Sequence, residues 1–199
     1  MCIICRTKDM KDLEGLEELD CSGCLNLIVI PNIKGLKKLD CSNCTNLTFI
    51  PNIKGLEILE CLYCPNLTSI PNIKGLKKLN CYYCHNLTFI PNIKGLEKLY
   101  CFSCNKLTFI SNIKGLNILY CSGCPNLTYI PHIKGLKILD CGKCAKLTYI
   151  PNIKGLERIY CTKCPNIIIH HLPKKLMCYF TPKIPDSNVI PLQLYFSSK

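Results

Sequence analysis

The sequence has no tryptophan, only two arginines, and no run of apolar residues as long as a membrane-spanning helix. Such a helix needs about 20 predominantly apolar residues, so we do not expect a membrane span. The start, MCIICRTKDM, lacks the cationic segment and long apolar stretch of a secretory signal. We therefore expect the chain in the cytoplasm, where thiols are kept reduced.

Acidic residues are also scarce, whereas lysine and cysteine are abundant. The 199 residues include 25 Lys and Arg against 13 Asp and Glu, for a net charge of +12, together with 19 cysteines. The apolar content of 48% excludes a disordered chain. In a reducing compartment the cysteines are expected as thiols or metal ligands rather than as a disulfide framework.

A period of 20 residues runs through most of the chain. It is anchored by Cys-x-x-Cys pairs, which hold 16 of the 19 cysteines. The pairs lie at 21/24, 41/44, 61/64, 81/84, 101/104, 121/124, 141/144 and 161/164. A period of this length is typical of a solenoid, in which each unit contacts only its neighbours.

The unit that begins at Leu36 reads LKKLDCSNCTNLTFIPNIKG, and Leu36 is counted here as position 1. Apolar residues at positions 4 and 6 have the alternation of a strand with one buried face, and inward residues then recur every third position. Proline at position 16 opposes a helix, and glycine at position 20 indicates a turn with positive φ. Each unit should therefore add one short parallel strand, with extended or polyproline-like backbone opposite and little or no helix.

The ends depart from the repeat. Cys2 and Cys5 are one residue out of phase with the later pairs, and the pattern decays from His170 and His171 onward. One unit cannot bury its apolar residues alone, so stability is collective and the terminal coils need caps. We predict an N-terminal cap over residues 1–15, eight repeats over 16–169, and an atypical C-terminal repeat and cap over 170–199.

The segment LKKLDCSNCTNL resembles the conserved part of leucine-rich repeats, in the variant with cysteine where many repeats have asparagine. The remainder, TFIPNIKG, resembles the tail of 20-residue bacterial-type repeats, and the recurring IPNIKGL is similar to small leucine-rich-repeat proteins of giant DNA viruses of amoebae. The match covers Leu16 to about Ile167. It implies a right-handed curved coil with strands on the concave face, a protein-binding role and, for a viral protein, the host-cell cytoplasm.

The regular cysteine pairs allow three interpretations. Two pairs together can make a four-sulfur zinc site, but that requires sulfurs roughly 3.7 Å apart, whereas stacked strands lie about 4.8 Å apart. Disulfides between coils fit the Cα separation, but a reducing compartment opposes them. We favour buried thiols that act as small apolar groups, with the position 9 thiol donating to turn carbonyls. No metal or cofactor is then expected.

Catalytic patterns are weak. His85 follows Cys84, but a Cys–His dyad needs an exposed thiolate within reach of the imidazole, and Cys84 is predicted to point inward. The sequence contains no glycine-rich phosphate loop or Ser–His–Asp arrangement that stands out. We therefore expect a protein without enzymatic activity.

Positions 2, 3, 5, 7 and 8 vary among the repeats and should face outward from the strand and its following turn. The middle repeats carry aromatic residues there, which indicates a site for an unknown protein or peptide, because exposed aromatics are enriched at binding surfaces. The predicted contact residues are Tyr63, Tyr82, Tyr83, Tyr100, Phe102 and Tyr120, with Lys77, Lys78, Glu57 and Glu60 as a polar rim. The alternative is that these rings only stabilise the sheet through cross-strand contacts.

Two further columns recur. Position 14 carries Phe49, Phe89, Phe109, Tyr129 and Tyr149, which we interpret as packing between coils. Position 19 carries Lys34, Lys54, Lys74, Lys94, Lys114, Lys134 and Lys154. A stacked lysine rim offers an alternative function, binding nucleic acid or another anionic surface. Arginines suited to phosphate are nearly absent, however, and such a column is more often a solvated edge kept for solubility. A purely structural particle component is the third class of function.

Overall fold

The structure is a computed structural model that describes residues 2–6, 10–169 and 177–181. A short helix, α1, spans Ile3–Arg6, and a 3-10 turn spans Met10–Leu13. The strands that follow are β1 Glu18–Asp20, β2 Lys38–Asp40, β3 Ile58–Glu60, β4 Lys78–Asn80, β5 Phe89–Ile90, β6 Lys98–Tyr100, β7 Phe109–Ile110, β8 Ile118–Tyr120, β9 Ile138–Asp140, β10 Tyr149–Ile150, β11 Arg158–Thr162, β12 Ile168–Ile169 and β13 Met177–Thr181.

One parallel sheet dominates the described residues. Its nine strands follow the order β1-β2-β3-β4-β6-β8-β9-β11-β13. From β1 to β11 each residue pairs with its equivalent one repeat later, as Leu39 does with Leu59. The predicted mainly-β solenoid with one short parallel strand per repeat and almost no helix is confirmed.

The core is a single stack of apolar rows inside the coil. Leu39 and Cys41, at positions 4 and 6, are fully buried. Lys38 faces outward, and its partners on the two neighbouring strands are Glu18 and Ile58. The buried cluster runs without a break from Leu13 to Cys164. Each interior row is therefore covered on both sides by the same row of the adjacent coils, which is why single repeats are not expected to fold.

A second ladder lies on the opposite side of the coil. Strands β5 and β7 pair there, as do β10 and β12, and isolated bridges join Val29 to Phe49 and Tyr129 to Tyr149. The sequence predicted only extended or polyproline-like backbone at this place. The ladder stops at position 16, where proline has no N–H, and Ser111, which replaces proline there, donates its N–H to the Ile90 carbonyl at 3.0 Å.

Two turns in each coil use left-handed backbone. The predicted turn at position 20 has this geometry, with a φ of 97° at Gly95. Position 8 also has positive φ throughout, for instance 66° at Gly23, 57° at Asn43 and 60° at Tyr83. The sequence predicted only a variable, outward residue at position 8, because the several residue types there hide this constraint on the backbone.

The N-terminal residues cover the first coil. Leu13 is buried, and Cys2, Ile4 and Cys5 pack partly buried against the core. The proposed cap boundaries stay predictions, and residues 170–176 and 182–199, with His170 and His171, lie outside the described residues. Within the described ranges, every helix is too short to traverse a bilayer.

Candidate functional site

Four aromatic rings meet on the outer face of the main sheet, where the side chains of positions 2, 3, 5, 7 and 8 lie. We call Tyr63, Tyr82, Tyr83 and Phe102 the ring cluster. Tyr63 stacks on Tyr83 with ring centroids 4.5 Å apart, and Tyr82 stacks on Phe102 at 4.3 Å. Edge contacts of 5.7 Å between Tyr82 and Tyr83 and 5.9 Å between Tyr83 and Phe102 join the two stacks.

The repeat register produces these stacks. Side chains at the same position of successive coils lie one above the other, so Tyr63 meets Tyr83 and Tyr82 meets Phe102. Backbone bonds hold the turns together: the Tyr63 N–H donates to the Tyr82 carbonyl at 3.0 Å and the Tyr83 N–H to the Phe102 carbonyl at 3.1 Å. The cluster therefore stands on a fixed part of the coil.

Tyr100 and Tyr120 form a separate pair on the neighbouring strands. Their rings make an edge contact at 5.3 Å, and the two residues are paired in the sheet register. The Lys78 Nζ atom lies 5.8 Å from the centre of the Tyr100 ring and 2.7 Å from the Glu60 carboxylate. Lys78 thus links the aromatic pair to the polar rim.

The predicted polar rim consists of ion pairs. Lys77 contacts Glu57 at 2.7 Å, in addition to the pair between Lys78 and Glu60. The Lys77 hydrogen bond and charge lower the pKa of Glu57. Exposed pairs of this kind add little stability, so their main effect is to fix charge around the rings.

The rings cover one another and remain partly open to solvent. Tyr63 is 46% exposed, and Tyr82, Tyr83, Tyr100, Phe102 and Tyr120 are half-buried. The rings therefore pack against one another across strands, which is the contact assumed by the alternative that they only stabilise the sheet. The solvent-facing edges of the same rings are available for contact with a partner.

Local stability rules are broken at this place. Tyr63 and Tyr83 have φ of 52° and 60°, in a region where bulky side chains are strained. The Asn80 Oδ1 atom is buried without a hydrogen-bond partner, whereas Asp40 at the same position accepts a bond from the Ser42 N–H at 2.9 Å. The left-handed backbone recurs at Ser103, Lys143 and Lys163. The unpaired Asn80 oxygen is therefore the departure specific to this place among the described residues, and such departures are often found at functional sites.

The column at position 14 is more exposed than packing between coils requires. Phe49 is 49% and Phe89 41% exposed, and Tyr149 reaches 45%. The rings of Phe109 and Tyr129 lie 5.8 Å apart in a tilted contact. The packing interpretation thus holds only in part, because these side chains project outward from the second ladder. The sequence could have indicated this exposure, because position 14 is adjacent to position 15, whose isoleucine is buried.

The seven rim lysines at position 19 are all exposed. They form no ion pair with another described residue, unlike Lys38, Lys77, Lys78 and Lys137 on the outer face. The nine acidic residues within 16–169 all occupy positions 2, 3 or 5. The rim charge is therefore not balanced locally.

The interior cysteines form a ladder of free thiols. The Cys44 Sγ–H donates to the Cys21 carbonyl at 3.1 Å, and the position 9 thiols of the later coils repeat this bond at 3.0 to 3.2 Å. Burial raises the pKa of Cys64 to about 12 and that of Cys101 well above its usual range. The thiols of Cys64 and Cys101 are therefore protonated near neutral pH.

The Cys84–His85 dipeptide does not form a dyad. The Cys84 thiol is fully buried and donates to the Cys61 carbonyl at 3.0 Å. The exposed His85 ring makes an edge contact with Tyr83 at 6.0 Å.

Three thiols gather at the N-terminal end of the coil. The Sγ atoms of Cys2, Cys5 and Cys24 all lie within 4.8 Å of one another, the one such group among residues 2–6, 10–169 and 177–181. Cys2 and Cys5 are out of phase with the repeat, and the 20-residue period alone did not predict their approach to Cys24. The signal was the spacing Cys-x2-Cys-x15-Cys-x2-Cys over residues 2–24, which is typical of metal-binding pairs.

Comparison with known proteins adds no relative. No protein-family model matches the chain. No curated protein is significantly similar to it. What is established is the class: a parallel-strand β-solenoid with a cysteine-rich repeat of about 20 residues.

Proposed function

We propose that this protein is a non-enzymatic interaction scaffold of the leucine-rich-repeat type, which binds a protein or peptide across the ring cluster and the Tyr100–Tyr120 pair. The observation that carries the proposal is the stacked ring cluster, on the face where positions 2, 3, 5, 7 and 8 change from repeat to repeat. The resemblance to repeat proteins of amoebal giant viruses supports a viral source and the host-cell cytoplasm as the place of action.

The backbone strain supports a role beyond stability. A non-glycine residue in left-handed backbone costs roughly 1–2 kcal/mol. Other repeats fill position 8 with Gly23, Asn43 or Gly123, which adopt this conformation readily, or with Ser103, Lys143 or Lys163, which share the cost. Tyr63 and Tyr83 stand where a less strained residue would complete the turn. Their rings therefore offset a local penalty, through stacking and through contact with a partner.

The chemistry of the surface suits a protein partner. Tyrosine offers a rigid apolar ring with a hydroxyl at its edge, and it is enriched among residues that dominate binding energy. The ion pairs Lys77–Glu57 and Lys78–Glu60 flank the rings with charges of both signs. An apolar centre with a polar rim is the usual anatomy of a protein interface.

The test compares three tagged baits in an amoebal lysate at two salt concentrations. Wild-type protein should capture a partner at both, because aromatic burial depends little on salt. The Tyr82/Tyr83/Tyr100→Ala variant should stay folded by circular dichroism and lose that partner. A control variant, Phe89/Phe109→Ala on the second ladder, should retain it. Equal capture by the wild type and the tyrosine variant would remove the outer face as the site.

A second candidate function rests on the rim lysines. Seven exposed ammonium groups follow one edge at a spacing of about 4.8 Å, and the acidic residues of the coils lie elsewhere. This arrangement favours binding to nucleic acid or another anionic surface, with an affinity that falls steeply as salt rises.

Retention on heparin and DNA columns tests this alternative. Changing Lys74, Lys94 and Lys114 to Glu should lower the salt needed for elution far more than an equal charge change elsewhere. The control changes Lys37, Lys98 and Lys106 to Glu. Similar elution of the two triple variants would mean that only net charge matters and would exclude a rim site.

A further inference from the structure

The N-terminal thiol group differs from every other cysteine pair in the chain. The Cys5 Sγ atom lies 3.4 Å from the Cys24 Sγ atom and 3.8 Å from the Cys2 Sγ atom. Sulfurs bound to one tetrahedral zinc ion are separated by about 3.7 Å, given Zn–S bonds of about 2.3 Å. The spacing that the stacked coils do not provide is thus present here.

Local structure explains why the sulfur atoms of Cys2, Cys5 and Cys24 lie so close together. Cys2 precedes α1 and Cys5 lies within it, so the three-residue separation places both thiols on one side of a turn closed by the Cys5 N–H and the Cys2 carbonyl at 3.1 Å. Cys24 lies in the turn after β1. In later coils the position 9 thiol donates to a carbonyl of the preceding coil. The first coil has no preceding coil, and Cys24 meets Cys2 and Cys5 instead.

We propose that Cys2, Cys5 and Cys24 bind one Zn²⁺ ion through three thiolates, with water in the fourth position. Cys2 and Cys5 are only partly buried, which gives the ion a route from solvent. Cys21 remains outside the group, since its thiol donates to the Asp40 carbonyl at 3.3 Å.

The surroundings of the three thiols are consistent with metal binding. The Cys2 N–H donates to the Cys24 Sγ atom at 3.4 Å. An incoming Zn²⁺ ion would displace the thiol protons, as zinc does at other thiol sites.

Zinc at this place would fasten the cap to the coil. Two ligands belong to the N-terminal segment and the third to the first repeat, so the bond closes a loop of about 20 residues around Leu13 and β1. Terminal coils have a neighbour on one side only and are the weakest part of a repeat array. A metal that binds only the folded state stabilises it by mass action.

The first experiment measures metal in the full chain after incubation with Zn²⁺ under reducing conditions and removal of free ion. Wild-type protein should retain one zinc per chain, and Cys2→Ser and Cys5→Ser should retain none. Both substitutions are at partly exposed thiols, so the variants are expected to fold. The control, Cys164→Ala, removes a thiol at the other end of the core and should leave the zinc content unchanged.

Two further measurements detect the bound metal by the absorption spectrum of Co²⁺ and by protection of the thiols from alkylation. Co²⁺ in place of zinc should give strong thiolate charge-transfer and visible bands in the wild type and the control only. Alkylation followed by peptide mass spectrometry should show Cys2 and Cys5 protected by zinc and modified after chelation. Absence of retained zinc in the wild type, full zinc content in Cys5→Ser, or a disulfide among the three thiols in the reduced, zinc-treated protein would each overturn the proposal.

Discussion

At the scale of the residue, backbone angle decides which side chains each position tolerates. Position 8 has positive φ in all eight repeats, from Gly23 to Lys163. Glycine and asparagine accept this conformation readily, whereas tyrosine does so at a cost. Position 20 has a similar requirement, and there glycine recurs in every repeat from Gly35 to Gly155. One turn is therefore restricted to glycine, whereas the other accepts glycine, asparagine, serine, lysine and tyrosine.

Two substitutions measure this difference. Gly95→Ala should destabilise the chain by about 1–2 kcal/mol, because alanine is strained at this φ. No atom clashes with the added Cβ, since the nearest is the Gly75 Cα atom at 3.9 Å. Tyr83→Asn should change stability by less than about 1 kcal/mol, because relief of strain offsets the lost stacking. Urea unfolding midpoints give both values.

Either of two results would contradict these expectations. A wild-type midpoint for Gly95→Ala would show that the glycine is not needed for the turn. A loss for Tyr83→Asn as large as that of a core truncation, about 2–5 kcal/mol, would make the ring cluster a structural element and weaken the proposed binding role.

At the scale of the element, each strand is too short to be stable alone. The strands from β1 to β9 in the main sheet have three residues, and only β11 and β13 reach five. Their register follows from the equal length of the repeats, which sets Leu79 beside Leu99. Register then selects the side-chain partners. Glu57 and Lys77 occupy the same position of successive strands, whereas Lys78 reaches diagonally to Glu60.

At the scale of the whole molecule, the coil behaves as a closed stack. The paired cysteines from Cys21 to Cys164 lie in one dry interior, and the N-terminal thiols lie at its edge. Access to the interior therefore requires coils to separate. A stack in which each coil contacts only its neighbours opens most easily at its ends.

Thiol titration with Ellman's reagent examines this arrangement. In the native metal-free protein Cys2 and Cys5 should react fastest among the described cysteines, because they are only partly buried whereas the sixteen paired thiols are buried. In denaturant all 19 should react. Rapid native reaction of the sixteen paired cysteines would contradict a closed core. A variant with Cys2 and Cys5 changed to Ser identifies the fast-reacting groups.

The pattern of the repeat determined the solenoid, the inward rows and the outward variable positions. Leucine, isoleucine and cysteine recur at fixed places, and burial of such residues permits only one assignment of inside and outside. The exposed faces of Tyr63, Tyr82 and Tyr83 were predictable on this ground. So was the glycine turn at position 20, because glycine alone recurs there, whereas the other position with positive φ, position 8, carries several residue types.

Only the tertiary structure decided which of those side chains meet. The ring stacks, the diagonal Lys78–Glu60 pair and the exposed column of Phe49 and its equivalents depend on distances between coils, which a one-dimensional pattern does not contain. The same holds for Cys24 and the out-of-phase Cys2 and Cys5. Periodicity separates them, but the folded cap brings their sulfurs together because the first coil has no preceding coil to occupy that place.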